Sequence, residues 1–357
     1  MRCQAGVAIP EWDWHHRLPT GRFVGPVCGD KITTLRINSV FLDVTDQPHL
    51  QRHDLTFIVF LLLPLITCAI FSSYLLLFVI EPITFKSAIF DVAVTTISLA
   101  FSGFIYWRYV RRELFTLALR PVRFNRKNQR IYAMRERCRR GQEQYGDVVY
   151  EVPWRAKNVH FCIHRSKDAN ETLYHIRCYH VDEQNRIIFA FSIGREWHFS
   201  SMSDLLAQWN YWCWYMNKGP AQLPPPTLFL SERETLTETY LTCMFQWGFN
   251  TSAAFRLLVT PLTLINTVCR LLSLWTARDP IWPPRIVAAC GREVGDEFDQ
   301  PSGDTPVGWR ATLSARFAGT YPDLPSSLIP EWSGTSDEDE NAKEWMADRP
   351  QRSMEYA

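Results

Sequence analysis

The chain lacks the short motifs by which catalytic sites are usually recognised. It contains no Gly-x-Ser-x-Gly elbow, no Gly-x-x-x-x-Gly-Lys phosphate loop, no Gly-x-Gly-x-x-Gly dinucleotide loop and no His-Glu-x-x-His motif. His160 and His164 are four residues apart, but in a β-strand this spacing separates them by about 13 Å, too far for one metal ion. We therefore expect a protein that is not an enzyme, with no catalytic residue, no metal site and no cofactor.

The chain also lacks a disulfide framework and a signal peptide. Its ten cysteines are scattered, and no two of them form a Cys-x-x-Cys pair. Reduced thiols in a cytoplasmic domain are therefore expected. The first apolar run is preceded by 54 residues of mixed polarity and is too long for the apolar region of a signal peptide.

Charge is absent from two stretches near the front of the chain. Leu55–Ile80 has 26 residues without a charged side chain, and Val92–Trp107 is also uncharged. At 1.5 Å per helical residue, about 20 residues cross a hydrocarbon core of about 30 Å. The second run extends to about 20 residues if Asp91 lies at the membrane face, and Glu81–Lys86 between the two runs is then a tight turn. The pattern predicts a transmembrane helical hairpin over residues 55–107.

The net charge of +1 conceals two regions of opposite sign. Residues 108–140 hold 12 Lys/Arg against Glu113 and Glu136, whereas residues 291–357 hold 6 Lys/Arg against 14 Asp/Glu. The basic block follows the second apolar run directly, and such blocks stay on the cytoplasmic side. We expect a multi-pass protein of the bacterial inner membrane with both termini in the cytoplasm. Nucleic-acid binding is not expected, because membrane proximity already accounts for the basic block.

Short β-like segments follow the predicted hairpin, and a helix follows them. The segments, with one more ahead of the hairpin, are Thr33–Val44, Leu114–Phe124, Arg130–Met134, Asp147–Val152, Asn158–His164, Glu171–Val181 and Arg186–Ile193. Ser203–Asn217 has helical spacing and ends at Gly219-Pro220. The order is typical of a pleckstrin-homology-like (PH-like) antiparallel β-barrel that is closed by a C-terminal helix. The fold class is therefore α+β, with a membrane hairpin and a further helical segment.

Five segments are expected along the chain. They are an N-terminal cytoplasmic segment (1–54), the hairpin (55–107), the PH-like domain (108–219), a helical membrane-proximal or interface segment (227–290) and an acidic, largely disordered tail (291–357). Thr239–Trp275 is rich in apolar and aromatic residues, its only charged residues are Arg256 and Arg270, and Pro261 lies near its middle. A third membrane span is left open there. It is disfavoured, because a central arginine costs about 2.5–3.5 kcal/mol on insertion scales. A broken pair of helices at the membrane or against the barrel is preferred.

Two groups of side chains are candidates for a partner or membrane surface. In the predicted helix, Trp209, Trp212 and Met216 form the face that closes the barrel. The first candidate group lies on the other faces of this helix and consists of Tyr211, Trp214 and Tyr215. The second belongs to the basic block and consists of Arg135, Arg137, Arg139 and Arg140. These arginines either bind anionic lipid headgroups or only set the membrane topology.

Several short segments occur along the chain in an order that suggests a family. They are Asp43–Asp46, the two apolar runs, Pro121–Arg126 with Ile131-Tyr132, Val152–Trp154 and Asp279–Pro284. This order resembles uncharacterised proteobacterial membrane proteins that occur beside type VI secretion spike and effector genes. The Phe-Asn-Arg turn also resembles membrane-tethered bacterial PH-like domains.

The resemblance implies an interaction protein of the inner membrane without catalytic residues. Its role would be that of a type VI secretion accessory, either an effector adaptor or an immunity-type protein. Membrane lipids and a spike or effector protein are then the expected partners. The alternative is a secreted, membrane-acting (pore-forming) type VI effector toxin. The oligomeric state is left open.

Overall fold

The computed structural model of the protein is a mixed α+β structure with antiparallel sheets. It describes residues 5–46, 56–58, 96–97, 100–101, 103–107, 113–136, 147–167, 172–247, 251–322 and 327–328. The chain divides into two compact units. Unit 1 consists of Met1–Leu50, Leu119–Arg233 and Pro280–Ala357, and unit 2 consists of Gln51–Ala118 and Glu234–Asp279.

The described strands all lie in unit 1, whereas the helices are shared between the units. The strands are β1 (Arg17–Leu18), β2 (Val27–Cys28), β3 (Thr34–Ile37), β4 (Phe41–Val44), β5 (Val122–Asn125), β6 (Arg130–Arg135), β7 (Val148–Pro153), β8 (Val159–Lys167), β9 (Thr172–Val181), β10 (Ile187–His198) and β11 (Ser327–Leu328). The helices are α1 (Glu11–His15), α2 (Met202–Lys218), α3 (Leu236–Trp247), α4 (Ala253–Trp275), α5 (Pro284–Ala289) and α6 (Gly308–Phe317).

Five strands form one antiparallel sheet in the order β3-β4-β5-β6-β7. β4 and β5 are direct neighbours, with Phe41 opposite Asn125 and Val44 opposite Val122. Both uncharged runs lie in the chain between these two strands. The predicted membrane hairpin is therefore an insertion between two paired strands of one sheet.

Two of the predicted strands have different limits in the structure. The segment 33–44 is not one strand but the hairpin of β3 and β4, because Asn38 turns the chain by accepting the backbone N–H groups of Val40 and Phe41. The segment 114–124 becomes a strand only at Val122. Leu119 and Arg120 have positive φ angles, which interrupt an extended chain.

The second large sheet has the order β1-β8-β9-β10. Its edge is formed by β1, which pairs Arg17 with Cys162 and Leu18 with Phe161. Because β1 takes this edge of β8, β7 does not pair with β8, and no ladder joins the two large sheets within the described strands. The predicted β-barrel is therefore not closed. The N-terminal strand that prevents closure was not expected from the sequence.

The helix predicted over residues 203–217 is confirmed as α2, and its aromatic side chains fill the core of unit 1. The Trp212 ring stacks on Phe124 of β5 at 5.3 Å between ring centroids. The Trp209 ring lies 5.1 Å from Phe161 of β8 and 5.5 Å from Trp154, which follows β7. Large aromatic rings bury the most apolar area per side chain, so α2 stabilises both sheets at once.

The two ends of the chain are part of unit 1. Residues 5–46 are not a separate segment, since they contribute β1 to β4. The expectation of a largely disordered acidic tail is wrong for residues 291–322, which include α6. Asp296 accepts the backbone N–H and the hydroxyl of Ser39, each at 2.7 Å, and thereby fixes this part of the tail beside the β3–β4 turn. The acidic stretch Asp337–Glu340 lies outside the described residues.

Unit 2 is helical wherever helix or strand is assigned to it. Most of the predicted hairpin over 55–107 lies outside the described residues, so its two spans are not shown; the described parts, including 56–58 and 103–107, are helical. Thr239–Trp275 contains α3 and α4, which pack on each other. The break between them follows Trp247, and Pro261 lies within α4. Among the described residues, α4 is the one helix long and apolar enough to cross a membrane.

Candidate functional site

A buried ionic cluster lies where the insertion leaves and rejoins the sheet. Asp46 follows β4 and is fully buried. Its Oδ2 lies 3.3 Å from Nε of Arg120 and 3.4 Å from Nη2 of Arg135. Arg120 lies just before β5, so the carboxylate and this guanidinium come from the two ends of the insertion. Thr45 adds a hydroxyl hydrogen bond of 2.5 Å to the carbonyl of Leu119.

Arg135 holds this cluster to both large sheets. It donates to the carbonyls of Arg120 at 3.0 Å, Met134 at 2.7 Å and Ser192 in β10 at 2.6 Å. Burial lowers the pKa of Arg135 to about 10, although the charge of Asp46 acts in the opposite direction. The guanidinium still carries its charge at neutral pH. The cluster therefore ties the end of β4, the residues before β5 and strand β10 to one another within unit 1.

A second cluster brings together three of the segments noted in the sequence. Arg123 of β5 donates from Nε and Nη2 to the two carboxylate oxygens of Asp43 in β4, at 2.7 and 2.6 Å. The guanidinium also lies over the rings of Phe41, at 4.1 Å, and Trp282, at 4.7 Å. Asn125 donates to the carbonyl of Ala289 at 2.9 Å. These contacts attach the chain around α5 to the outer side of the five-stranded sheet.

The charged groups of this second cluster are already engaged with each other. Burial tends to lower the pKa of Arg123, but the charge and hydrogen bonds of Asp43 outweigh burial and raise it above its ordinary value. The bidentate geometry occupies both carboxylate oxygens of Asp43. The cluster is therefore suited to holding segments together rather than to binding a charged ligand.

A third cluster contains the titratable side chains of α1, β8 and β9. Nδ1 of His164 lies 2.6 Å from Oδ2 of Asp13, and the hydroxyl of Tyr179 donates to the same oxygen. The ring of His175 meets that of His164 edge-on at 5.0 Å, and its Nδ1 lies 3.5 Å from Glu196. Burial and the nearby Asp13 raise the pKa of Tyr179. In the part of the chain that the structure describes, no three side chains are arranged to hold a metal ion.

A shallow cleft of about 500 Å³ opens on another side of unit 1. Its lining includes Arg130 and Arg155. Arg130 is paired with Glu151 at 2.5 Å, and Arg155 donates to Asn217 at 2.6 Å. The cleft is polar and open, and its arginines already have protein partners. It is suited to weak polar contacts with a partner rather than to enclosing a small molecule.

The three aromatic side chains predicted for a partner surface are buried. Tyr211 and Tyr215 have no exposed area, and Trp214 is 2% exposed. The hydroxyl of Tyr215 donates to the carbonyl of Asn38 at 2.8 Å, and Phe23 packs on Trp214 at 5.5 Å. The N-terminal residues cover these faces of α2, so all three belong to the core. A return of the N-terminal segment onto the later domain was left open by the sequence, which did not show that the segment covers this helix.

The four arginines predicted for a lipid surface do not form one group in the structure. Arg135 is buried in the ionic cluster at the base of the insertion, so its predicted exposure is wrong. Arg137, Arg139 and Arg140 lie outside the described residues. Their role in lipid binding therefore stays a prediction. The basic block contains two kinds of arginine, which a count of charges cannot separate.

A sequence model of the family of unknown function DUF6708 matches residues 98–294, more than half of the 357 residues. The chain belongs to this family. No curated protein and no solved structure matches the chain. Membership in DUF6708 assigns no activity and makes no statement about secretion.

The DUF6708 match shows how the buried charges are distributed along the chain. The cationic or titratable partners His164, Arg123 and Arg135 lie within the matched residues. Their carboxylate partners are Asp13, Asp43 and Asp46, which all come before the match begins. The N-terminal segment therefore contributes three buried carboxylates to the DUF6708 region. This dependence explains why residues 5–46 cannot be a separate domain.

The third cluster predicts a pH dependence of stability in this DUF6708 protein. Burial, the charge of Arg177 and the neighbouring His164 hold the pKa of His175 well below 6.5. Below pH 6.5 the unfolded chain binds a proton at this position that the folded chain resists. Stability should therefore fall as the pH drops from 6.5, by up to about 1.4 kcal/mol per pH unit from this one group.

The His175→Gln variant should lose this part of the slope between pH 6.5 and 5. The measurement is urea unfolding of the detergent-solubilised full chain, followed by tryptophan fluorescence across that pH range. His15→Gln is the control, because His15 is exposed and should leave the slope unchanged. An equal slope in the wild type and the His175→Gln variant would contradict the assignment.

Proposed function

We propose that the protein is an interaction protein anchored in the inner membrane, and that unit 1 is its binding module. The observation that carries this proposal is the position of the two apolar runs. They are inserted between the paired strands β4 and β5, and the Asp46–Arg120–Arg135 cluster joins the residues of unit 1 that precede and follow this insertion. A hairpin inserted at this point would tether the module through two short connections instead of a flexible linker.

A PH-like arrangement of unit 1 is the finer proposal. Four strands of one sheet, β4 to β7, are followed in sequence by three strands of the next, β8 to β10, and then by α2. The indoles of α2 fill the space between the sheets in the way that a closing helix would. This order supports a PH-like module to which the N-terminal strands β1 and β3 have been added at the edges.

Binding rather than catalysis is proposed for this module. The charged groups of the first two clusters hold segments of the chain to one another. The partners we propose are anionic lipids near Arg137, Arg139 and Arg140, and a spike or effector protein of type VI secretion. The secretion role, as an effector adaptor or an immunity-type protein, is supported only by the resemblance of segment order.

The test is a tagged pull-down of the full chain from detergent-solubilised membranes of the native host. Mass spectrometry should identify both proteins and retained lipids. Recovery of a spike or effector protein supports the secretion role, and its absence from repeated pull-downs contradicts that role. A variant with Arg137, Arg139 and Arg140 changed to glutamine should retain less anionic lipid, whereas unchanged lipid would exclude headgroup binding by these residues.

A pore-forming toxin is the second candidate, and α4 is the observation that favours it. This apolar helix contains Pro261 and the charged Arg270, which suits a segment that stays soluble before it enters a target membrane. The localisation of the native protein separates the candidates. A toxin should be found in the soluble fraction of the producing cell, whereas an anchored accessory should be found only in the membrane fraction.

A further inference from the structure

The polarity of α4 is inverted relative to that of a helix in a water-soluble protein. The side chains of its buried face include Thr263, Asn266, Thr267, Arg270 and Ser273. The exposed face carries Leu257, Leu258, Leu262, Leu264, Val268, Leu272 and Trp275. A surface helix in water has the opposite arrangement, with its apolar stripe towards the core. The exposed leucines of α4 therefore face the medium, and its buried polar groups face the rest of unit 2.

Most of the buried polar groups of α4 have hydrogen-bond partners within unit 2, and Oδ1 of Asn266 is the exception among those of its buried face. Thr263 donates to the carbonyl of Val259 at 3.0 Å, and Thr267 donates to that of Thr263 at 2.7 Å. Asn266 donates to the side chain of Gln246 in α3 at 3.2 Å. Internal pairing of this kind is required where no water is present to replace a missing partner.

Other exposed apolar side chains are concentrated in the same unit. Of the exposed large hydrophobic side chains in the described residues, only six lie in unit 1: Val7, Ile188, Ile281, Val287, Val294 and Phe317. The others lie in unit 2 and include Phe101, Phe104 and Trp107 of the second apolar run. Apolar exposure on this scale is unusual for a surface that faces water. Lipid acyl chains would cover it without a protein partner.

The length of α4 fits a bilayer only if Arg270 lies inside the bilayer. The uncharged stretch between Arg256 and Arg270 has 13 residues, which span about 20 Å. The stretch from Leu257 to Trp275 has 19 residues and spans about 28 Å, close to the thickness of the hydrocarbon core. The charge of Arg270 must therefore be neutralised if α4 crosses a membrane.

Glu234 provides that neutralisation. Arg270 donates from Nε and Nη2 to the two carboxylate oxygens of Glu234, at 2.9 and 2.5 Å, and its side chain is 1% exposed. Glu234 lies two positions before Leu236, the first residue of α3, so the pair joins the start of α3 to the last part of α4. α3 extends about 18 Å over its 12 residues and packs against α4.

The C-terminal end of α4 has the features of a membrane boundary. Trp275 is exposed there, and Arg278 follows it. The backbone of Arg278 pairs with that of Thr116 and Ala118, at 2.9 and 2.8 Å. The end of α4 thus lies beside the chain that leaves the second apolar run, within the same unit.

We propose that α3 and α4 form a second membrane-inserted hairpin, that acyl chains cover the leucine face of α4, and that the Glu234–Arg270 pair is the condition for insertion. This inference rests on the membrane anchoring proposed above. It adds a second inserted segment and names the ion pair that permits it.

The test uses alkaline phosphatase inserted into the full chain, because this enzyme needs disulfides that form only in the periplasm. One insertion lies between Thr251 and Ser252, and another between Ile83 and Thr84 in the turn of the first hairpin. Both fusions should be active when normalised to the amount of chain. Activity only at the Ile83 position would overturn the second hairpin and leave the anchor intact, whereas inactivity of both would overturn the anchor as well.

The ion pair is tested in the fusion at Thr251. Glu234→Gln should lower its activity about tenfold or more, because Arg270 would then enter the membrane unpaired. Glu232→Gln is the matched control and should have no effect. The double variant with Glu234→Leu and Arg270→Leu should restore activity, which separates insertion from a general folding defect. Full activity of Glu234→Gln, or no recovery in the double variant, would overturn the role of the pair.

Discussion

Replacing Asp46 with alanine is expected to lower the free energy of unfolding of unit 1 by about 3–5 kcal/mol. The carboxylate is fully buried between Arg120 and Arg135. Its removal deprives the guanidinium of Arg135, itself buried, of its main compensating negative charge. An uncompensated buried charge costs far more than the pair contributes when it is intact.

Urea unfolding of the solubilised full chain measures this loss, with the core indoles Trp209 and Trp212 as fluorescent probes. Asp204→Ala is the matched control, because Asp204 pairs with Lys31 at 2.8 Å but is partly exposed. That change should cost less than about 1 kcal/mol. Equal and small losses in the two variants would show that the cluster at the base of the insertion contributes little to stability.

The Asp46 cluster also shows where sequence reasoning reaches its limit. A block of arginines beside an apolar run predicts a membrane-proximal position, and this stays a prediction. It does not show which arginine has a buried carboxylate, because Asp46 lies on the other side of the insertion. Arg135 was therefore predicted to be exposed with Arg137, Arg139 and Arg140, and the structure buries it.

Local patterns predicted the elements of unit 1 better than their arrangement. Alternating apolar residues gave β8 and β9 nearly the right limits, and helical spacing before Gly219 located α2. The predicted strand limits were wrong where a positive φ angle interrupts the extended chain, as at Leu119 and Arg120. The predicted closure of the sheets into a barrel was wrong for a different reason. Strand β1 belongs to a segment with no strong strand pattern of its own, so its place at the sheet edge was not expected.

Long-range pairs explain most of the site that the sequence did not reveal. Asp13 meets His164 across 151 positions, and Asp43 meets Arg123 across 80. Composition made the N-terminal segment look irregular, yet it contains the buried carboxylates. The sequence did contain one signal for this site. It is the set of short segments with Asp43, Arg123 and Trp282, which the structure brings into one cluster. Their order was visible in the sequence, but their contact was not.

The polarity of α4 is a similar case. The composition of Thr239–Trp275 alone left open a third span or a broken pair of helices against the barrel or in the membrane interface. The structure shows which residues face inward, and five of these seven residues are polar or charged, the others being Val259 and Cys269. It also shows that Arg270 has Glu234 as a bidentate partner, which a hydropathy scan counts only as two charges. The main argument against insertion of α4 was the cost of placing an unpaired arginine in the membrane. The contact with Glu234 weakens that argument, because it gives Arg270 a partner of opposite charge.

Gly194→Ala is expected to destabilise unit 1 by about 2–5 kcal/mol, through backbone strain of about 1–2 kcal/mol and overpacking of about 1–3 kcal/mol. Gly194 in β10 has a φ of +75°, which side chains with a Cβ rarely adopt. A Cβ there would lie 2.5 Å from Oε1 of Gln208 and 2.7 Å from Cη2 of Trp212. Both contacts are with α2, so the strand would have to move away from the helix.

That movement of β10 should also change the tryptophan fluorescence of the folded protein, in addition to its stability. Gln208 accepts the backbone N–H of Arg195 at 3.3 Å and donates to the hydroxyl of Thr33 at 3.2 Å, so a shift of β10 would break a buried network. We expect a lower urea midpoint together with changed emission from Trp212 in the folded state. Gly303→Ala is the control, because a Cβ there meets no atom within 4 Å, and it should change stability by less than about 0.5 kcal/mol. A Gly194→Ala protein as stable as this control would show that β10 and α2 are not in the close contact on which the core of unit 1 depends.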